Sequence, residues 1–207
     1  MDTVTTAPAY RRRKDQRPQE ILDAGLEEFH AHGYARASLS RIAKRAGVSR
    51  ATLYLYFDGK DALFLAIADH AMISFTQDAA QQVQSSDAST EDTLRALFGQ
   101  FYSVMTTSKN NALMRILIAE GPEMPALVNK YHAQVLSRGR ALLERIIARG
   151  IERGEVRESA ATAIPQLLIA PVMFYCIHDM VFSEIDPLDV QTFMEGHLEM
   201  VLRGISI

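Results

Sequence analysis

Tryptophan is absent from this 207-residue chain, cysteine occurs once, and proline and glycine number only 7 and 11. A lone Cys176 excludes an internal disulfide and sets a cytoplasmic location as the expectation. No apolar run reaches the roughly 18 residues that a membrane span requires. The longest, Ala163–Ile177, is broken by Pro165, Gln166 and Pro171 and reads better as a buried helix. The N-terminus is polar and basic, without the apolar core of a secretion signal. Catalytic signatures are missing too: there is no phosphate-binding P-loop, no HExxH and no GxSxG. Glu27 and His30 make one ExxH, but a di-iron bundle needs two from different helices. Cys176 lies in apolar surroundings that favour an inert thiol. These absences argue against an enzyme, and the residues propose no catalytic group, metal site or cofactor.

What is present is ordinary globular material. The chain is 48% hydrophobic, enough to fill one large or two modest cores. Ala, Leu, Glu and Arg recur throughout, which favours helix. Charge is unevenly placed: residues 1–60 hold eleven Lys and Arg against seven Asp and Glu, and residues 61–207 hold eleven against eighteen. A basic first third on an acidic chain points to a polyanion for that third alone, although so small a surplus also describes a solvated face.

Residues 1–17 read as a disordered basic arm, with Arg11–Lys14 free to lie along a polyanion or to contact nothing fixed. Helical spacing of Ile21, Leu22, Leu26 and Phe29 predicts a helix from Pro18 to His32, closed by Gly33. Ser38 is placed to cap a short second helix, with Leu39, Ile42, Ala43 and Ala46 inward. Gly47 supplies a corner, and Ser49 caps a third helix in which Leu53 and Phe57 face the same core. A long fourth helix follows from Asp58 to Val83, then a polar linker, Gln84–Thr90. Further helical patterns cover Glu91–Thr107, Ala112–Glu120, Ala126–Arg153, Ala160–Phe182 and Leu188–Arg203. The expectation is an all-α chain of about nine helices: an arm to residue 17, a helix–turn–helix domain over 18–60 and a helical domain over 61–207.

Two short helices about a glycine corner form a helix–turn–helix, whose second helix enters a DNA major groove. A serine cap, Arg50, Thr52, Tyr54 and Tyr56 suit phosphates and base edges better than they suit a core. The segment "ASLSRIAKRAGVSRATLYLYFDGKDALF" resembles the DNA-binding domain of the TetR family of transcriptional regulators. The family pattern is met at Ser38, Ile42, Ala43, Ala46, Gly47, Val48, Ser49, Thr52, Leu53, Tyr54, Tyr56, Phe57, Lys60 and Leu63. The similarity extends over about Pro18–Ala68, with a looser match to family C-terminal domains further on.

The resemblance implies a homodimer that binds a double-stranded DNA operator and carries a helical domain for a small-molecule effector. By the same resemblance Arg50, Ala51 and Tyr54 face base edges, Ser40 sits at a sometimes base-reading position, and Ser49 opens the recognition helix. Ser38, Thr52, Tyr56 and Lys60 fall on phosphate-binding positions. The effector cavity is expected to be lined by Phe75, Phe101, Met105, Met114, Leu117 and Phe174, with Asn111 or His178 as polar anchors. No Lys/Arg cluster falls inside these helices, which favours a lipophilic or aromatic effector. Leu167, Leu168, Pro171, Tyr175, Ile177 and Val181, with Phe193, His197, Met200 and Val201, are the expected dimer stripe. The expected action is repression relieved by ligand. The alternative is a helix–turn–helix regulator whose second domain answers to a protein partner or to no ligand.

Overall fold

The computed structural model describes the backbone of residues 9–85, 88–105 and 108–207, and the side chains of residues 17–72, 88–105 and 111–207. Its described elements are helical: α1 (Ala9–Arg36), α2 (Leu39–Arg45), α3 (Arg50–Tyr56), α4 (Gly59–Ser85), α5 (Thr90–Met105), α6 (Ser108–Ala119), α7 (Pro125–Tyr131), α8 (Ser137–Glu152), α9 (Ala160–Ala163), α10 (Gln166–Phe182) and α11 (Val190–Ile205). A π-helical turn, His132–Leu136, joins α7 to α8 without a break. Two compact units result. The first comprises residues 1–68 and 112–127, the second residues 69–111 and 128–207. The division therefore differs from the expected boundary at residue 60. Residues 112–127 return to the first unit, which local composition does not reveal.

Several expectations change in detail. Helix α1 begins at Ala9 rather than Pro18, because Arg, Lys and Gln over residues 11–17 are good helix formers. The expected arm is thus helical from Ala9, and residues 1–8 lie outside the described residues. The helix expected over Ala160–Phe182 is two helices. Pro165 drives the residue before it out of the α region, and Ile164 has φ −126° and ψ 81°. Ser38 occupies the N-cap position of α2 without a capping hydrogen bond from its side chain.

The first unit buries Ile21, Phe29, Tyr34, Ile42, Leu53, Leu63 and Phe64. Phe29, Tyr34 and Phe64 meet with ring centroids 5.5–5.8 Å apart, within the favourable range for aromatic pairs. Gly47 turns the chain between α2 and α3 at φ 66°, a conformation costly for residues with a Cβ.

The second unit packs α5, α8, α10 and α11 around Leu97, Phe98, Tyr102, Leu142, Ile146, Val172, Tyr175, Cys176 and Leu198. Burial pushes the Cys176 thiol up to about 11, so it stays protonated and unreactive. His197 lies inside this core, 3% exposed. Its Nε2 is 2.8 Å from the Leu168 carbonyl and its Nδ1 is 3.1 Å from the Tyr102 hydroxyl. A carbonyl only accepts, so Nε2 carries the proton and Nδ1 accepts from Tyr102. The ring stacks on Phe98 at 4.6 Å.

Burial lowers the His197 pKa, against a smaller opposing effect of the Leu168 carbonyl. The unfolded imidazole takes up a proton below its ordinary value near 6.5 while the folded one resists. Stability therefore falls as pH drops below about 6.5. The carboxylates held low, such as Glu28 and Glu155, act only in more acidic solution. Between pH 7.5 and 5 the melting temperature should fall, and His197→Gln should flatten that fall while costing about 1–3 kcal/mol at pH 7.5. Parallel pH curves for the two proteins would refute the assignment.

Candidate nucleic-acid interface

The element expected to read DNA is α3. Ser49 opens it, its Oγ accepting the Thr52 N–H at 3.0 Å and lying 2.9 Å from Thr52 Oγ1. Leu53 points inward, while Arg50, Ala51, Tyr54 and Leu55 are exposed. The Arg50 guanidinium carbon sits 5.9 Å from the Tyr54 ring centroid, so the two side chains share one face. Thr52 and Tyr56 are half-buried at its edges, and on α2 Ser40 is exposed while Ser38 is half-buried. The sequence reading passed over Leu55, at 83% exposure the most open large apolar side chain on α3. Its position one helical step beyond Tyr54 was the available signal.

Many of the surrounding cations are engaged. Glu28, 1% exposed, accepts from Arg41 Nε at 2.7 Å and from the Ser38 N–H at 3.0 Å. Burial alone would raise its pKa, but these two bonds and the Arg41 charge hold it below the usual carboxylate value. Arg45 pairs with Glu27 at 2.8 Å. Lys44 is exposed and has no partner among the described residues.

Lys60 has a role that its position in the sequence did not announce. Its Nζ donates to the carbonyls of Tyr34 at 2.8 Å and Ala35 at 3.2 Å, and lies 4.4 Å from the Tyr34 ring centroid. The same two residues are gripped from the other side. Glu120 Oε1 accepts the Tyr34 N–H at 2.9 Å, and Oε2 accepts the Ala35 N–H at 2.7 Å. Arg115 adds a bond to the His30 carbonyl at 3.1 Å, and the Tyr34 hydroxyl donates to Asp61. Gly33 precedes this turn at φ 71°, and a Cβ there would come within 2.6 Å of Glu120 Oε1. The end of α1 is thereby held between a carboxylate and an ammonium.

The second unit holds a cavity of about 480 Å³, walled by Met72, Phe98, Phe101, Leu142, Ile169 and Met173 among others. Of the expected lining residues whose side chains are described, only Phe101 is there. Phe75's side chain lies outside the described residues, and Met105 packs against the core cluster. Met114 and Leu117 belong to the first unit. Asn111 approaches Asp179 at 3.5 Å. Phe174 is exposed and His178 contacts Asp186 at 3.2 Å. On α10 it is Ile169, Ala170 and Met173 that face the cavity, and one residue further turns a side chain by about 100°. No group of three or more His, Cys, Asp or Glu among the described residues is placed to hold a metal ion, and no helix among them is long and apolar enough to cross a membrane.

Residues 21–67 match the model for bacterial regulatory proteins of the tetR family, and residues 86–190 match the tetracyclin repressor-like C-terminal domain. The chain belongs to the TetR family. It is a DNA-binding transcriptional regulator, and α2–α3 is its helix–turn–helix. Among curated relatives it is similar to a fatty acid metabolism regulator protein of Bacillus subtilis, 24% identical over 93% of this chain and 98% of that one. Its fold is that of SmeT, the Stenotrophomonas maltophilia efflux-pump repressor, in complex with triclosan: TM-score 0.77, 24% identity, 92% of each chain covered. It is also that of the Bacillus subtilis regulator FadR in complex with stearoyl-CoA: TM-score 0.75, 21% identity, 90% of this chain and 98% of that one covered.

Removing Glu120 orphans two N–H groups at once. Glu120→Ala should cost about 1–3 kcal/mol of stability and speed hydrogen exchange at the Tyr34 and Ala35 amides, with Glu120→Gln intermediate. Unchanged exchange at those two amides in Glu120→Ala would contradict the clamp.

Proposed function

We propose that this regulator is a homodimeric repressor that leaves a palindromic operator when a small lipophilic or aromatic effector enters the second unit. The observation that carries the DNA half is the exposed face of α3, where Arg50, Ala51 and Tyr54 stand together beyond a capped N-terminus. Arg50 is the proposed base reader, able to engage guanine through two parallel hydrogen bonds. Ser40 and Ser49 stand at the start of α2 and beside the start of α3. Ser38, Thr52, Tyr56 and Lys60 are proposed phosphate contacts, Lys60 through the one N–H that its two carbonyl partners leave. Two recognition helices must enter successive major grooves roughly 34–36 Å apart, which requires a dimer.

The dimer is proposed to form through the outer faces of α10 and α11. Leu167, Phe174, Ile177, Val181 and Met200 are exposed there and make an apolar surface that one chain alone leaves in water. Leu168, Tyr175, His197 and Val201, expected in the same stripe, serve the core instead. An effector in the 480 Å³ cavity would touch Met72 on α4, and the same helix begins at Gly59 beside Lys60. A ligand with unequal affinity for two positions of α4 would then bias the spacing of the recognition helices. Triclosan in SmeT and stearoyl-CoA in FadR support a ligand-binding role for a second unit of this fold.

Selection of bound DNA followed by titration of the enriched site tests the whole reading. A palindromic site is expected, with Arg50→Ala losing about 1–3 kcal/mol and its preference at one base pair. Val181→Glu should yield monomers and abolish tight binding to the full site while leaving half-site contact. A non-palindromic site bound equally well by Arg50→Ala would overturn the assignment.

A further inference from the structure

The cavity's wall is chemically lopsided. Met72, Leu142, Ile169 and Met173 make an apolar interior, whereas the polar lining residues include His132, Arg140 and Gln166, and no Asp or Glu among the described residues. His132 opens the π-helical turn and Arg140 follows on α8, so both come from one continuous helical run. π turns interrupt the regular hydrogen-bond ladder and recur at functional sites. The side chains of His132 and Gln166 have no hydrogen-bond partner among the described residues, although both carry donors.

Arg140 decides the sign of the charge. Its Nε donates to Glu144 Oε1 at 2.7 Å, an exposed pair one helical turn apart. Its two terminal nitrogens have no partner among the described residues. A guanidinium already held through Nε still offers its far edge, whose two parallel N–H groups fit a carboxylate or phosphate. A cationic ligand would meet the same group as repulsion.

The geometry points to an effector consisting of one apolar body with a single terminal anionic group, its body in the methionine-walled interior and its anion on Arg140. This rests on the cavity being the effector site, as proposed above. The anion has two plausible sources in this chemistry, a free carboxylate or the phosphates of an acyl thioester carrier.

Calorimetric titration of the full-length protein with decanoate, decanol and decylamine, each below its aggregation concentration, tests this. Decanoate should bind about fivefold more tightly than decanol, the scale of an exposed charge pair. Decylamine should bind weakest, and added salt should narrow the differences. Arg140→Gln should bring decanoate to the level of decanol without altering decanol, a control that the variant is folded. Decanoyl-CoA separates the sources: a further gain that Arg140→Gln removes favours the thioester, and no gain favours the free acid. Equal binding of decanoate and decanol, or a preference that survives Arg140→Gln, overturns the anionic selection but leaves the cavity as effector site. Gly139→Leu should abolish binding of all probes, because a Cβ at Gly139 already lies 3.7 Å from Met72 Sδ at the cavity wall. Binding that persists in Gly139→Leu, or no binding of any probe to the unaltered protein, overturns both readings.

Discussion

Tyr34 and Ala35 follow a glycine that has turned the chain out of helical conformation, so their N–H and C=O groups need partners from elsewhere. Glu120 satisfies the two donors and Lys60 donates to both carbonyls, that of Tyr34 also accepting the Ala37 N–H at 3.2 Å. The arrangement fixes the end of α1, and α1 in turn anchors α2 through Glu28, which takes both Arg41 and the Ser38 N–H. The placement of α3 thus depends on two carboxylates, Glu28 and Glu120, that bind peptide groups of the first unit. One of them comes from α6's end, far along the chain.

The same economy of charge explains why the basic first third is less basic in space than on paper. Arg41 and Arg45 are neutralised by Glu28 and Glu27, and Lys60 is bound to carbonyls. What remains outward near α3 is chiefly Arg50, with Lys44 on the neighbouring helix. Among the described side chains around α3 few cations are free, and each phosphate contact would add affinity without sequence preference.

In the second unit the organising polar group is His197. A neutral imidazole, donating to Leu168 and accepting from Tyr102, joins α11 to α10 and α5 inside an otherwise apolar core. Phe98 stacks on that ring and also lines the cavity. Phe98 is thus shared between the core histidine and the cavity wall.

Most short-range order was legible, apart from the start of α1, the break before Pro165 and the missing Ser38 cap bond. Helical periodicity, the Gly47 corner, the Ser49 cap and the TetR pattern follow from neighbours within a few residues, where steric rules and local hydrogen bonds dominate. The reading failed where a side chain's partner lies far along the chain. The contacts of Lys60 and Glu120 with residues 34 and 35 are hidden from the sequence, because neither position signals them. Phe174 and His178 were assigned to the cavity, but Ile169 and Met173 face it, because apolar residues surround α10 and leave its rotation unspecified. His197, expected on the dimer surface, lies in the core because its ring partners, Tyr102 and the Leu168 carbonyl, are on other helices. Local sequence carries backbone conformation through forces that act over one or two turns. Which face of a wholly apolar helix is buried, and which charge meets which peptide group, is settled by long-range packing when the helices come together.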